Sequence, residues 1–146
     1  MKKISLMFLL SLGYMSGYCQ SDDFNSYVES KSYEKYNIEG NKKVELKDFV
    51  GAIELFDKAI KLVPDGISGY LNRGYAKILS HDLQSALTDY NTAIKLQPDD
   101  PTAYFYRGII ECRSGQRDAG CTDISKAGDL GHPKEKVSEA KSRFCN

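Results

Sequence analysis

The sequence predicts an all-α fold built from stacked two-helix units, and three observations support that prediction. A pattern of apolar, small and aromatic residues recurs every 34 residues. Within each unit the apolar residues follow helical spacing, and a proline with acidic or glycine neighbours ends the unit. The length of 146 residues suits one domain of this kind.

The composition is that of an ordinary globular chain. Hydrophobic residues make up 41% and charged residues 27%, which does not fit a disordered protein. Lys plus Arg and Asp plus Glu both total 20, so no net positive charge draws the chain to nucleic acid or to an anionic membrane. We therefore expect no nucleic-acid partner.

Residues 1–19 have the layout of a cleaved export signal. Two lysines precede an apolar run at 4–12, and Gly17 and Cys19 put small residues at the cleavage positions before Gln20. The run is too short for a membrane-spanning helix, which needs about 20 apolar residues. We expect a signal peptide, and a mature chain that is periplasmic, associated with the outer membrane or secreted, without an integral membrane segment.

Lipidation of Cys19 is the alternative reading of this segment. A lipoprotein signal has a small residue where Tyr18 stands and an aliphatic one where Ser16 stands, so the alternative is less favoured. Residues 20–32, which follow, show no repeat pattern and are treated as an N-terminal segment that could be flexible.

The 34-residue period extends over eight consecutive pattern positions. The pairs are Phe49 and Leu83, Ala52 and Ala86, Ile53 and Leu87, Phe56 and Tyr90, Ala59 and Ala93, Ile60 and Ile94, Leu62 and Leu96, and Pro64 and Pro98. Two further sets fall on the same period: Tyr36, Tyr70 and Tyr104, and Gly40, Gly74 and Gly108. Such agreement in residue type indicates an internal repeat.

Each unit reads as two antiparallel helices. Apolar residues in the range 83–94 follow an i, i+3, i+4, i+7 progression and form one buried stripe. Pro64 and Pro98 stop the helices. Asp48 and Asp82 stand where an N-cap side chain can accept a bond from a free backbone N–H.

This pattern resembles the tetratricopeptide repeat (TPR) family over about residues 33 to 145. The family has an aromatic residue, Gly four on, Ala twelve further, an aromatic four later, Ala three later and Pro five later. The six places are filled by Tyr70, Gly74, Ala86, Tyr90, Ala93 and Pro98 in one unit, and by Tyr36, Gly40, Ala52, Phe56, Ala59 and Pro64 in the unit before it. With its export signal, the chain is similar to small secreted TPR proteins of Bacteroidota.

The resemblance implies a helical-hairpin solenoid of three repeats and a capping helix. The expected ranges are 33–66, 67–100, a degenerate third repeat at 101–132, and the capping helix at 133–146. In the third repeat Gly120, Ile124 and His132 replace the family's Ala, aromatic and Pro. Pro133 suits the first position of the capping helix, whose apolar face carries Val137, Ala140 and Phe144.

Small residues are expected to let paired helices approach closely. This repeat-packing set comprises Gly40, Gly74, Gly108, Ala52, Ala86, Ala59 and Ala93. We expect Gly74 to face Ala86 across the second hairpin. The glycines recur with the repeat, so they are not a phosphate-binding loop.

Three cysteines follow the export signal, and we predict a disulfide between Cys121 and Cys145. Both lie on apolar stripes, and the antiparallel run of their helices brings these ends together. Closing this loop could contribute about 3 kcal/mol, which would offset Gly120 and Gly128 at about 1 kcal/mol each. Pairing of Cys112 with either partner, or three free thiols, are the alternatives.

No residue pattern indicates catalysis, a metal site or a cofactor. His81 and His132 both stand at predicted turns, and no Cys-x-x-Cys or His-x-x-x-His spacing offers metal ligands. Clustered carboxylates fall in turns and tails, where solvation and capping account for them. We expect a chain that is not an enzyme.

The resemblance implies a concave groove lined by the first helix of each repeat. The expected partner-contacting residues are Asn37, Asn41, Leu71, Tyr75, Ile78, Phe105, Ile109 and Arg113. Their centre is apolar, and an exposed apolar patch commonly marks a binding site. The competing reading is that Phe24, Tyr27 and Val28 fold back and cover the groove.

These observations favour a non-catalytic adaptor or scaffold that binds a peptide or helix of a partner protein. A carboxylate clamp, known in some members of the family, is disfavoured because Asn37, Leu71 and Thr102 stand where other side chains are wanted. Two other classes remain: a structural protein that self-assembles through its ends, and a thiol redox protein acting through Cys112. The oligomeric state is left open.

Overall fold

The structure is a computed structural model that describes the backbone of residues 7–146 and the side chains of residues 24–146. The regular elements in that part of the chain are all α-helices: α1 Met7–Glu45, α2 Phe49–Leu62, α3 Ile67–Leu79, α4 Leu83–Leu96, α5 Pro101–Arg113, α6 Arg117–Asp129 and α7 Lys134–Phe144. The predicted all-α class is confirmed. The predicted export signal, with the question of lipidation at Cys19, lies outside the residues whose side chains are described.

The helices pack as three hairpins and a final helix. The pairs α1/α2, α3/α4 and α5/α6 form the hairpins, each hairpin packs on the next, and α7 packs on α6 and α5. We call α1, α3 and α5 the A helices, and α2, α4 and α6 the B helices. Helix α7 therefore takes the place that the A helix of a fourth repeat would have.

The first A helix is longer than expected. Helix α1 runs without a break through residues 20–32, the segment for which no structure was assigned. Phe24 and Tyr27 are 66% and 60% exposed, so this segment does not fold back over the groove as the competing reading required. Among the described residues, no helix has both the length and the apolar character needed to cross a bilayer.

The turn between the A and B helices is the same in all three hairpins. Lys47, His81 and Gly115 lie 34 residues apart, and each has a positive φ, of 59°, 67° and 85°. Glycine takes up this left-handed conformation without strain, whereas Lys and His do so at some cost. His81 therefore has a structural place, as the turn residue of the second hairpin.

Aspartate side chains cap the helices that follow the turns. Asp48 accepts a hydrogen bond from Gly51 N at 3.0 Å, and Asp82 accepts one from Ser85 N at 3.2 Å, as predicted. Asp100 does the same for α5, accepting from Ala103 N at 2.7 Å. At α7, Pro133 is the N-cap residue and not the first helical one.

The core consists of three clusters along the stack. The first joins Ala52 and Phe56 to Ala76 of the next repeat. The second comprises Ala86, Tyr90, Ala93, Ala103 and Ile110, and the third comprises Tyr104, Phe105, Ile124, Ala127, Val137 and Ala140. Each cluster takes residues from two adjacent units, so each repeat covers the apolar face of its neighbour.

Two of the repeat glycines, Gly40 and Gly74, face the aromatic residue of the B helix in their own hairpin. A Cβ placed on Gly74 would lie 3.0 Å from the Tyr90 ring and 3.4 Å from Asp89 Cβ, and Ala86 is not among its three nearest contacts. Glycine is needed here because a ring lies flat against the backbone.

The third repeat uses glycine differently, which corrects the view that Gly120 is a destabilising substitution. A Cβ on Gly120 would lie 2.5 Å from both Gly108 O and Cys112 Sγ. Helices α5 and α6 thus approach so closely that only glycine fits at this crossing. Gly120 lowers the helix propensity of α6, but this close packing requires it. The glycine is therefore explained without reference to the disulfide.

A buried charge pattern, which the sequence analysis did not single out, also follows the repeat. Arg73 donates to Asp89 of its own repeat and to Asp57 of the previous B helix. Lys77 Nζ donates to the same Asp89 at 2.8 Å. One repeat later, the guanidinium of Arg107 donates to Asp123 and, at 3.0 Å, to Asn91 Oδ1.

We expect Asp89→Ala to destabilise the protein far more than Asp57→Ala. Asp89 is 2% exposed, and its loss leaves two half-buried cations, Arg73 and Lys77, without their shared partner, at about 3 kcal/mol. Asp57 is 53% exposed, so its removal should cost less than about 1 kcal/mol. Urea unfolding followed by circular dichroism measures both variants, and equal losses would contradict the proposed role of the buried carboxylate.

We also expect Gly120→Ala and Gly128→Ala to differ in sign. The added methyl at position 120 meets backbone and sulfur, so we expect a loss of about 2 kcal/mol. At position 128 the nearest atom is Val137 Cγ1 at 3.2 Å, and the gain in helix propensity of about 1 kcal/mol offsets the small shift required. Thermal unfolding of the two variants compares them, and an equally stable Gly120→Ala would contradict the close approach of α5 and α6.

Candidate functional site

One concave feature of the described residues is a pocket of about 440 Å³ between α3, α5 and α7. It opens on the face formed by the A helices and the capping helix. Its lining residues are Tyr75, Phe105, Tyr106, Ile109, His132, Pro133, Lys136, Glu139, Ala140, Arg143 and Phe144. The volume falls in the range of pockets that hold a small molecule or a side chain of a partner.

Packed aromatic rings form the floor of the pocket. Tyr106 lies at their centre, with its ring centroid 5.4 Å from that of Tyr75, 5.4 Å from that of Phe105 and 5.6 Å from that of Tyr90. Burial, with a smaller contribution from Tyr75, raises the pKa of the Tyr106 phenol. The hydroxyl therefore stays protonated and uncharged at neutral pH.

His132 closes one side of the pocket. Its ring stacks on Phe105 with centroids 4.1 Å apart and planes at 21°. Burial lowers the pKa of the imidazole, and Asp100 acts weakly in the opposite direction. The neutral ring thus forms part of the apolar wall at neutral pH, a specific role for a residue that the sequence placed only in a turn.

Charged side chains of α7 surround the opening. Lys136, Glu139 and Arg143 are all exposed and lie at spacings of three and four, on one face of the helix. The Arg143 guanidinium lies 5.3 Å from the centroid of the Phe144 ring. The opening therefore combines two positive charges with one negative charge around an apolar interior.

The structure brings together three of the eight residues expected in the groove. Tyr75, Phe105 and Ile109 line the pocket. Tyr75 is 39% exposed, but Phe105 is only 6% exposed because His132 covers it. Phe105 is therefore a wall of the pocket and not the open contact surface that was expected.

The other five lie elsewhere. Leu71 and Ile78 are half-buried against the core cluster around Tyr90, while Asn41 and Arg113 are exposed and outside the pocket. Asn37 is buried at 8% exposure, which does not fit a partner contact. Its Nδ2 donates to Tyr33 O and its Oδ1 accepts from Asn72 Nδ2, both at 3.0 Å, so it joins α1 to α3.

Sequence reasoning missed the contribution of the capping helix. It identified Val137, Ala140 and Phe144 as an apolar face but assigned that face to packing alone. The neighbouring positions 136 and 143 are seven apart and therefore share a face, which could have indicated a second, outward-facing stripe. The position of His132 over Phe105 has no signal in the sequence.

The structure joins Cys121 and Cys145 in a disulfide with Cα atoms 5.8 Å apart, within the usual range. Cys112 is a free, half-buried thiol, and the Sγ atoms of all three lie within 4.8 Å of one another. Burial and Glu111 raise the pKa of the Cys112 thiol, and Arg117 lowers it slightly. A redox catalyst needs a lowered thiol pKa, so this direction speaks against the thiol redox class.

Comparison with known proteins agrees with the fold. Residues 81–111 match the family described as TPR repeat. Over 43 residues the chain is 49% identical to the tetratricopeptide repeat protein 36 homolog of Nematostella vectensis. That match covers 30% of this chain and 24% of that protein, so the similarity is limited to about a quarter of the relative's length.

Solved structures extend the likeness to most of the chain. The Arabidopsis OM64 TPR domain has a TM-score of 0.76 at 22% identity, with 80% of this chain and 97% of that one covered. The first TPR of Spaghetti (RPAP3) bound to the HSP90 peptide SRMEEVD has 0.75 at 19%, covering 80% and 92%. The TPR2B domain in the pHsp70 complex of yeast Sti1 has 0.75 at 19%, covering 79% and 97%. The fold is a TPR-type helical solenoid, as the sequence predicted.

We expect the pocket wall to weaken below pH 6.5 because of His132. A folded-state pKa below the ordinary 6.5 means that the unfolded chain takes up the proton first. The contribution of neutral His132 to the free energy of unfolding is therefore complete above about pH 6.5. It is lost as the pH falls through the lowered pKa of the folded state. Urea midpoints between pH 7.5 and pH 5 should therefore fall more for the natural protein than for His132→Phe, which keeps an aromatic ring there without a charge. Parallel curves would contradict this role of His132.

Proposed function

We propose that this chain is a non-catalytic protein-interaction module, and that the pocket between α3, α5 and α7 binds an apolar side chain of a partner polypeptide. The observation that carries the proposal is the aromatic pocket itself, which remains partly open on a face that the repeats present to solvent. Tyr75 at its edge is 39% exposed, a large exposed fraction for a ring in contact with the core. Aromatic residues that line a concave site are the usual anchors of peptide recognition.

The composition of the pocket indicates the partner's chemistry. An apolar anchor residue of a helix or an extended segment would fill the interior, where Ile109, Ala140 and Phe144 offer no charge. The polar groups at the opening can then bind the flanking backbone. The Spaghetti (RPAP3) and yeast Sti1 domains were solved with an HSP90 peptide and in an Hsp70 complex, and their shared fold supports a peptide as the ligand class.

Self-assembly through the ends of the stack is less well supported. Helix α3 packs on the preceding hairpin through Gly69, Arg73 and Ala76, which contact Ile60, Asp57 and the first core cluster. The equivalent residues of α1, 34 positions earlier, are Lys35, Glu39 and Lys42. Lys35 and Glu39 lie 3.9 Å apart as an exposed pair. This end of the solenoid thus carries Lys35 and Lys42 where α3 has the small residues Gly69 and Ala76.

The cellular setting that we propose rests on the export signal that the sequence predicts. With residues 1–19 removed, an adaptor in the envelope or outside the cell would meet an oxidising environment, which suits the bond between Cys121 and Cys145. We propose such an exported adaptor or scaffold, without a cofactor and without a nucleic-acid partner.

We expect Tyr75→Ala to weaken peptide binding at least about tenfold, a typical loss for an aromatic anchor in a binding pocket. The probes are peptides selected from a random displayed library by binding to the natural protein, and isothermal calorimetry gives their Kd. Lys136→Ser should have a smaller effect because it changes only the opening.

Gln84→Ala is the matched control, since Gln84 is exposed on α4, a B helix outside the pocket. It should leave the Kd unchanged, and circular dichroism should show all three variants folded. Truncation of Phe105 is a poor test because it is buried and its loss would disturb folding. Selected peptides that bind Tyr75→Ala as tightly as the natural protein would rule out the pocket as the binding site.

A further inference from the structure

Three helices bring their cysteines to one point. Cys112 lies in the last turn of α5, Cys121 in the second turn of α6, and Cys145 directly after α7. Their Sγ atoms lie within 4.8 Å of one another, and all three residues are half-buried. One bond joins Cys121 to Cys145, so a free thiol lies beside an existing disulfide.

The backbone makes room for the free thiol. The space beside Gly120 that a Cβ would occupy is 2.5 Å from Cys112 Sγ and 2.8 Å from Cys112 N. Cys112 is therefore directly opposite the 120–121 peptide across the α5/α6 hairpin. Cys121 directly follows Gly120 in α6. Its sulfur also lies 3.8 Å from Phe144 O, at the end of α7.

We propose that the three cysteines form an internal thiol–disulfide exchange site, in which Cys112 displaces Cys145 from Cys121. The thiolate sulfur of Cys112 attacks Cys121 Sγ and forms a Cys112–Cys121 bond. The Cys121–Cys145 bond breaks, and its electron pair stays on Cys145 Sγ, which takes up the proton that Cys112 lost. The number of thiols and of disulfides is unchanged, so no external oxidant or reductant takes part.

Attack on Cys121 is favoured over attack on Cys145 by the packing. Cys112 and Cys121 belong to the two helices that approach most closely, at Gly108 and Gly120, so their bond requires little backbone movement. Cys145 follows the last turn of α7, which packs on one side only, against α5 and α6. It can therefore move away once released.

The rate of exchange depends on the thiolate fraction of Cys112. Burial and the Glu111 carboxylate of α5 raise its pKa, while Arg117 of α6 opposes them. The thiolate is scarce at neutral pH, so exchange is slow there and accelerates as the pH rises. The disulfide lies within 4.8 Å of the Cys112 sulfur, so the scarce thiolate has a reaction partner beside it.

The exchange would act on the pocket through α7. Phe144 lines the pocket and adjoins Cys145, so loss of the bond to α6 frees the wall that Phe144, Arg143 and Ala140 form. This consequence, unlike the exchange itself, rests on the proposed function.

Thiol mapping of the protein, purified without reductant, tests the exchange. The protein is held at pH 8.5, quenched with acid at intervals, then denatured and blocked with N-ethylmaleimide. Trypsin cleaves after Arg113, Arg117 and Arg143, which puts each cysteine in its own peptide for mass spectrometry. Among Cys112, Cys121 and Cys145 we expect one label per chain throughout, found first on Cys112 and then also on Cys145, until at least about a tenth of the chains carry it there.

Controls separate this reaction from its alternatives. Cys112→Ser should carry no label on Cys121 or Cys145 at any time, because the thiol beside their disulfide is gone and the bond stays intact. The rate should not depend on protein concentration. Label that stays on Cys112 alone, three labelled cysteines at the start, or label on Cys145 in Cys112→Ser would each overturn the inference. None of these readouts uses a peptide ligand, so failure of the exchange is distinguishable from failure of the proposed function.

Discussion

The second and third repeats share one recurring buried contact, an arginine of the A helix held between two B helices. Arg73 and Arg107 each bind a carboxylate of their own hairpin and reach a polar side chain of the hairpin before it. The apolar clusters supply most of the burial, but such clusters tolerate sliding. A buried arginine with directional hydrogen bonds does not tolerate such sliding. A shifted helix would leave its charge buried and without a partner. The arginines thereby set how far α3 and α5 lie from each other.

The pocket follows from that spacing. With α3 and α5 fixed, Tyr75 and Tyr106 meet across the two A helices, and α7 supplies the third wall in the place of a fourth A helix. The third repeat is the most altered one. Glycine at 108 and 120 draws α5 against α6, and this close hairpin carries the bridge that holds α7. The residues of the third repeat that depart from the repeat pattern thus allow α7 to end the stack and to form a wall of the pocket.

Much of the fold could be predicted from the sequence because its information is local and periodic. The spacing of apolar residues predicted the helices, and Asp48 and Asp82 predicted the caps. The apolar stripes indicated the cysteine pair that the structure joins. The site was predicted less well. The groove positions were carried over from a regular repeat. Here His132 covers Phe105 and α7 contributes five of the eleven lining residues, and these contacts join elements distant in sequence. The ion pairs were not predicted, although Arg73 and Arg107 share the period, because a repeated charge on a helix usually marks a solvated face.

The stacking of the repeats is tested most directly by nuclear Overhauser contacts between side chains in the isotopically labelled protein. Stacked repeats closed by α7 require proton contacts between the rings of Tyr75 and Tyr106, 5.4 Å apart, and between those of Phe105 and His132, 4.1 Å apart. Both pairs join different elements, so neither arises from a single helix. Observation of both would establish that α3 packs on α5 and that the segment leading into α7 lies over α5. A spectrum in which Tyr75 contacts only its own helix and His132 contacts only its own turn would contradict the stacking on which the site depends.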